Sequence, residues 1–277
     1  MNISVTSSNE YFSIDKIISL IRTDEERFSM KYGLDEFKKD GYLLPITDYS
    51  FYPLLFEAFN AIKDKRTAQH ILLLSHYLSL WTMVQDELYD DGTCTNSSII
   101  LIMPCLLMEC EEIIYRLSKT LKTDVQTRFY VYYREMLSSH IRESALCSSD
   151  DKNIDEKIIF QYCSGKYALT KLLYEITCMA TGKERSTEKL NIGLHVLDLI
   201  HFCRQCVDDF EDIDEDASKG GFNIFDCTNT DIIALNKQAF LEINELCKQI
   251  NEYAMLTYVC KLNNKYLITE KNHEHNA

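Results

Sequence analysis

The stretch HYLSLWTMVQDELYDDG, residues 76–92, decides the class of fold. Tyr77, Leu80, Trp81, Val84 and Leu88 recur at three- and four-residue intervals, the period of one face of an α-helix. At the far end the polarity changes. Asp86 and Asp90 stand four apart, which places both carboxylates on one helix face, and Glu87 and Asp91 repeat the pattern one position round. Like charges at that spacing repel, and the dipole at a helix C-terminus favours cations over anions, which adds to the cost.

The same period runs through most of the 277 residues and predicts helices near 11–31, 50–63, 67–90, 97–120, 123–147, 154–181, 187–217 and 231–262, separated by short polar breaks. Only 8 Gly and 3 Pro are present, and because these residues punctuate turns and break helices, their scarcity argues for long helices and against hairpins. The expected class is all-α. No repeat or low-complexity linker divides the chain, so a single helical bundle over residues 1–277 is the economical reading, with a polar tail from about 264.

A formal net charge of -14 disfavours attraction to nucleic acid or to an anionic membrane surface, and an anionic ligand would need a bridging cation. The strongest apolar run, IILIMPCLLMEC at 99–110, falls short of the roughly 18 residues of a membrane span and contains Pro104. Eleven Cys, an odd number, lie in helical stretches and no signal peptide precedes them, which fits reduced thiols in a cytoplasmic protein. They read as small core hydrophobes. Cys203 and Cys206 form the one CxxC, inside a predicted helix and without a second pair, so zinc is not expected there.

A second acidic cluster closes another predicted helix. In CRQCVDDFEDIDED, residues 203–216, Asp208 and Asp212 are four apart, Asp216 follows a turn later, and Gln205 stands about a turn before Asp208; Lys219, Gly220 and Gly221 follow within five residues. Two helices that both end in carboxylates carry a cost that a shared group of divalent cations would relieve. Hard oxygen ligands with free coordination positions suit Mg²⁺, which completes its shell with water and phosphate oxygens. Between the clusters, YCSGKYALTKLLYEI at 162–176 places Lys166 inside an apolar helical pattern, where a cation is costly to bury without a partner. At the mouth of such a site it could contact a diphosphate.

In these features the chain resembles the class I isoprenoid synthases, over roughly residues 67–226. Asp86-Glu87-Leu88-Tyr89-Asp90 resembles the family's first aspartate-rich motif, DDxxD, with Glu in the second place, while Gln205, Asp208, Asp209 and Asp212 meet its QxxDDxxD motif in full. Lys166-Tyr167 resembles its Lys-Thr pair in the Lys alone. The resemblance implies the family's helical bundle with a central active-site cavity, a homodimer, and a prenyl diphosphate held by three Mg²⁺. Metal-assisted loss of diphosphate would then leave an allylic carbocation. Tyr77, Trp81 and Tyr162 are the aromatic candidates to line the pocket and stabilise it.

The chain also departs from the family. Elongating synthases grip isopentenyl diphosphate with an N-terminal Gly-Gly-Lys-Arg-like segment and with arginines after the first motif. The corresponding stretches here, KKDGYLLP at 38–45 and DGTCTNSS at 91–98, lack arginine. One diphosphate substrate, and hence a terpene synthase, is the favoured expectation. A chain-elongating prenyltransferase ranks second and a squalene/phytoene synthase-like condensation third, the latter on DELYD and on Asp212 to Asp216; a regulatory subunit is the non-enzyme alternative. The expected roles are Mg²⁺ ligation by Asp86, Glu87, Asp90, Asp208 and Asp212 with Asp209 in support, and diphosphate contact by Lys166. Lys219 is expected to close over the substrate and Gln205 to orient the carboxylates, with Arg142 and Arg204 as lesser candidates for the diphosphate.

Overall fold

The computed structural model describes residues 14–34, 61–90, 97–147, 154–181, 186–219, 222–226, 228, 231–251 and 260. Among them there are nine helices and no strand, so the chain is all-α. They are α1 (Ile14–Tyr32), α2 (Lys65–Asp90), α3 (Ser97–Leu121), α4 (Val125–Cys147), α5 (Glu156–Lys166), α6 (Leu169–Ala180), α7 (Thr187–Glu211), α8 (Ile213–Lys219) and α9 (Ile232–Ile250). Residues 50–60 of the predicted second helix, the stretch at 38–45 and the C-terminal tail lie outside the described residues.

Local chemistry explains several boundaries. Asp155, Ser186 and Asp231 cap α5, α7 and α9, each side chain accepting a bond from an otherwise unpaired backbone N–H: Lys157 at 2.7 Å, Lys189 at 3.3 Å and Ala234 at 2.9 Å. At the other end of α9, Asn251 adopts the left-handed conformation at φ 60°, a common helix stop. Helix α3 continues through Pro104.

Two predicted helices are each divided. The expected helix over 154–181 breaks at Tyr167 and Ala168, where Ala168 N–H bonds to Gly165 O at 3.0 Å and Thr170 N–H to Tyr167 O at 3.0 Å, a tightened i to i+3 pattern. The expected helix over 187–217 is interrupted at Asp212, which ends α7 with φ -103° and ψ 8°.

The chain forms two compact units. The first comprises residues 1–126 and 176–183, the second residues 127–175 and 184–277. In the first, α2 lays Ile71, Leu74, Tyr77, Leu78, Trp81 and Val84, all buried, along its length and packs most extensively on α3. Glu109 of α3, 2% exposed, takes Arg27 Nη2 at 2.7 Å, Lys31 Nζ at 2.5 Å and the Tyr32 hydroxyl at 3.1 Å, all from α1. Three donors on one buried carboxylate hold α1 to α3, and against its burial Arg27 and Lys31 keep the carboxyl below its usual range.

In the second unit α7 is the central element, packed on α9 and on α5. Two close approaches set its surroundings. A Cβ at Gly193 would stand 2.1 Å from the Tyr174 hydroxyl, so only glycine admits that ring. A Cβ at Gly165 would meet the Ser139 Cβ at 3.0 Å, and Ser139 Oγ donates to Tyr162 O at 2.6 Å, binding α5 against α4. Buried Lys171 bridges Glu135 at 2.5 Å and Asp198 at 2.8 Å, which ties α6 to α4 and α7.

Candidate functional site

The second acidic cluster sits on the last turns of α7, at Asp212 between the helices and on α8. Burial divides its members. Gln205 and Asp209, each 5% exposed, point into the unit, and Gln205 Nε2 donates to Asp209 Oδ1 at 2.5 Å. The other carboxylate oxygen of Asp209 accepts from Ile224 N–H at 2.9 Å, and its backbone carbonyl accepts from Asn223 Nδ2 at 2.6 Å. Asn223 Nδ2 also lies 2.9 Å from Asp216 Oδ2. Asp209 thus fastens the 222–226 segment back onto α7.

Desolvation dominates the Asp209 carboxyl and pushes it up to about 7, against the opposing pull of the Ile224 N–H, the Gln205 amide and the Lys166 ammonium. Asp208 and Asp212 face outward instead. The Asp208 carboxylate, 37% exposed, stands 3.5 Å from Arg204 Nε. The Asp212 carboxyl is raised by partial burial and by the like charges of Asp216, Glu215, Asp208 and Glu211. Asp208 and Asp212 are thus the more exposed carboxylates of the cluster, Asp208 beside Arg204 and Asp212 crowded by acids, and carboxylate oxygens are the donors that a hard divalent cation takes. Among the described residues no three His, Cys, Asp or Glu side chains stand together as a group that could hold a metal ion.

Lys166, at the end of α5, has its Nζ 3.3 Å from Glu143 Oε1 and 6.0 Å from the centre of the Tyr162 ring. Tyr162, 1% exposed, donates its hydroxyl to the same Glu143 oxygen at 2.7 Å and meets the Phe222 ring edge-on at 5.2 Å. Glu143 on α4 was not among the sequence candidates. No spacing rule connects it to residues some twenty positions on, and only the fold brings them together.

The other candidates are placed as follows. Tyr77 is fully buried in the first unit, donates to Asp24 and lies 5.5 Å from the Phe28 ring; Trp81, 4% exposed, also belongs to that core. Asp86, Glu87 and Asp90 lie on the last turns of α2, and their side chains are outside the described residues, as is that of Lys219 at the end of α8. Arg204 lies over the Tyr167 ring at 4.8 Å, Tyr167 reaches Gln205 Oε1 at 3.4 Å, and Arg142 bonds to Gln161 at 3.1 Å. Cys203 and Cys206 are buried, and burial raises both thiols. Cys105, Cys110, Cys163, Cys178, Cys203, Cys206, Cys247 and Cys260 form no disulfide. No helix of the described residues is long and apolar enough to cross a membrane.

A separate cleft of about 490 Å³ lies among α5, α7 and α9, with Phe160, Leu199 and Phe202 in its wall and His195 and Glu242, paired at 3.0 Å, at its edge. None of Tyr77, Trp81 and Tyr162 lines it. In comparisons with known proteins, no family model, no curated protein and no solved structure matches the chain.

Proposed function

We propose that the chain is a Mg²⁺-dependent terpene synthase that takes one prenyl diphosphate, ionises it to an allylic carbocation with release of diphosphate, and lets the cation cyclise or be quenched. The observation that carries this reading is the division of labour within Gln205, Asp208, Asp209 and Asp212. The first and third form a buried brace, while Asp208 and Asp212 are turned outward at a repulsive helix end with the Lys166 ammonium close enough to act on the brace.

Asp208 and Asp212 would hold Mg²⁺, and Asp86 and Asp90 are ligand candidates on the sequence pattern alone. Bound Mg²⁺ supplies charge neutralisation of the leaving diphosphate, a poor leaving group otherwise. Gln205 and Asp209 fix the backbone from which the outward carboxylates project. Lys166, held on α5, offers hydrogen-bond donors to the diphosphate oxygens.

A second reading has its own observation. Asp209 accepts from Gln205, Ile224 and Asn223, so the segment could serve as a structural brace in a regulatory subunit without turnover. Incubation with geranyl, farnesyl and geranylgeranyl diphosphates and Mg²⁺, each with and without isopentenyl diphosphate, separates the possibilities. Diphosphate release with hydrocarbon or alcohol products supports the proposal. Longer prenyl diphosphates formed only with isopentenyl diphosphate indicate an elongating enzyme, condensation of two prenyl diphosphates indicates the squalene/phytoene type, and no release with any substrate favours the brace.

A further inference from the structure

We infer that Glu143 is the positioning residue for Lys166, a fixed carboxylate that holds the ammonium where the diphosphate anion would meet it. The inference rests on the function proposed above and adds to it a residue that the motif pattern does not contain.

The two partners differ in freedom. A lysine carries four rotatable carbons' worth of rotamer entropy and holds one geometry only if something restrains it. Glu143 is restrained: Oε1 accepts the Tyr162 hydroxyl at 2.7 Å and Oε2 lies 3.6 Å from His140 Nδ1. Tyr162 is itself immobilised, 1% exposed and set edge-on to Phe222. The carboxylate is therefore the anchor, and Lys166 Nζ is placed by it at 3.3 Å.

The backbone reinforces the placement. Gly165, directly before the lysine, lets α5 approach α4 so closely that a Cβ there would lie 3.0 Å from Ser139 Cβ, and Ser139 Oγ binds the carbonyl of Tyr162 at 2.6 Å. The lysine side chain remains 18% exposed, so the held ammonium is not sealed from ligands. Burial would raise the Glu143 carboxyl, but His140, the Lys166 charge and the Tyr162 hydroxyl outweigh it and hold it at about 2, so the anchor is ionised at neutral pH.

Two consequences of removing the anchor oppose each other: the ammonium loses its fixed place, and the incoming anion loses a repelling neighbour. The proposal holds that placement wins. The test uses the full chain with Mg²⁺ and inorganic pyrophosphate, comparing wild type, Glu143→Gln, Glu143→Asp, Lys166→Met and the double variant Glu143→Gln/Lys166→Met by calorimetry, with helicity checked for each. In parallel, the rate at which the Lys166 amine is acylated by acetic anhydride is followed by peptide mass spectrometry in wild type and the Glu143 variants.

The expected result is pyrophosphate affinity about tenfold weaker in E143Q, the same loss in K166M, no further loss when the two are combined, and partial recovery in E143D. Acylation of Lys166 rises several-fold in E143Q. Tighter pyrophosphate binding in E143Q, additive losses in the double variant, or an unchanged acylation rate overturns the proposal. If wild type releases diphosphate from prenyl substrates yet Lys166 reacts equally in both proteins, the function stands and the positioning role fails. If E143Q frees Lys166 but wild type binds no pyrophosphate, the pair is a structural ion pair and the anion-placing role fails; the function fails only if wild type also releases no diphosphate from prenyl substrates.

Discussion

Asn223 donates its side-chain amide to the backbone carbonyl of Asp209 at 2.6 Å, fourteen residues back along the chain, while the Asp209 carboxylate accepts the neighbouring Ile224 N–H at 2.9 Å. This reciprocal clasp makes Asp209 a carboxylate of the interior, in contrast to the outward Asp208 and Asp212 beside it. The consequences are specific and measurable.

In metal-free protein kept in chelator, Asp209→Asn changes how stability depends on pH. The folded-state carboxyl of Asp209 is raised to about 7, so the folded protein retains a proton that the unfolded chain releases at its ordinary value near 4. Stability contributed by this group is therefore present at low pH and is lost as pH rises from about 4 to about 7. Denaturant melts across that window should show the wild type losing stability relative to D209N by up to roughly 1.4 kcal/mol per pH unit. Parallel curves would contradict the buried, protonated state.

Glu143 runs the other way. Held at about 2 in the folded protein, it contributes stability that is present above its ordinary value and lost as pH falls through the window down to about 2. Acid unfolding of E143Q should be less steep than that of the wild type over this range, followed by circular dichroism.

Asp212→Ala should raise the stability of the metal-free protein, because it relieves the crowding of Asp216, Glu215, Asp208 and Glu211 around one carboxyl. The same change should abolish the stabilisation that Mg²⁺ with pyrophosphate gives the wild type in a thermal melt. A D212A protein that is less stable without metal, or equally stabilised with it, would remove Asp212 from the ligand set.

Gly193→Ala should destabilise by about 1–3 kcal/mol through overpacking, since the new methyl would lie 2.1 Å from the Tyr174 hydroxyl, outweighing the gain of roughly 1 kcal/mol in helix propensity. Urea melts of G193A in wild-type and Tyr174→Leu backgrounds test the assignment. The cost should shrink in the second background and be unchanged if the Tyr174 ring is not its cause.

These cases show where the sequence was legible. The all-α class followed from the helical period and from scarce Gly and Pro, and the ends of α2, α3 and α4 fall within two residues of expectation. The break at Tyr167 did not show, because Tyr162, Cys163, Leu169, Leu172 and Leu173 are buried on both sides of it and the apolar pattern runs through. The break at Asp212 is similarly hidden in a continuous acidic run. Spacing alone could not divide the second cluster: Gln205 to Asp209 and Asp208 to Asp212 are each one turn, and only burial tells brace from exposed pair. Glu143 carried no one-dimensional signal, since its partners Tyr162 and Lys166 lie on another helix.

The central claim is that Asp208 and Asp212 serve a Mg²⁺-dependent departure of diphosphate from a prenyl substrate. The most direct measurement is diphosphate released from geranyl, farnesyl and geranylgeranyl diphosphates by the wild type, by Asp208→Ala and by Asp212→Ala, each with Mg²⁺ and with chelator. The account predicts Mg²⁺-dependent release by the wild type and a loss of at least a hundredfold in both variants at unchanged helicity, roughly 2.7 kcal/mol of lost transition-state stabilisation. Release that persists in the variants, or none from the wild type with any of the three substrates, would contradict it.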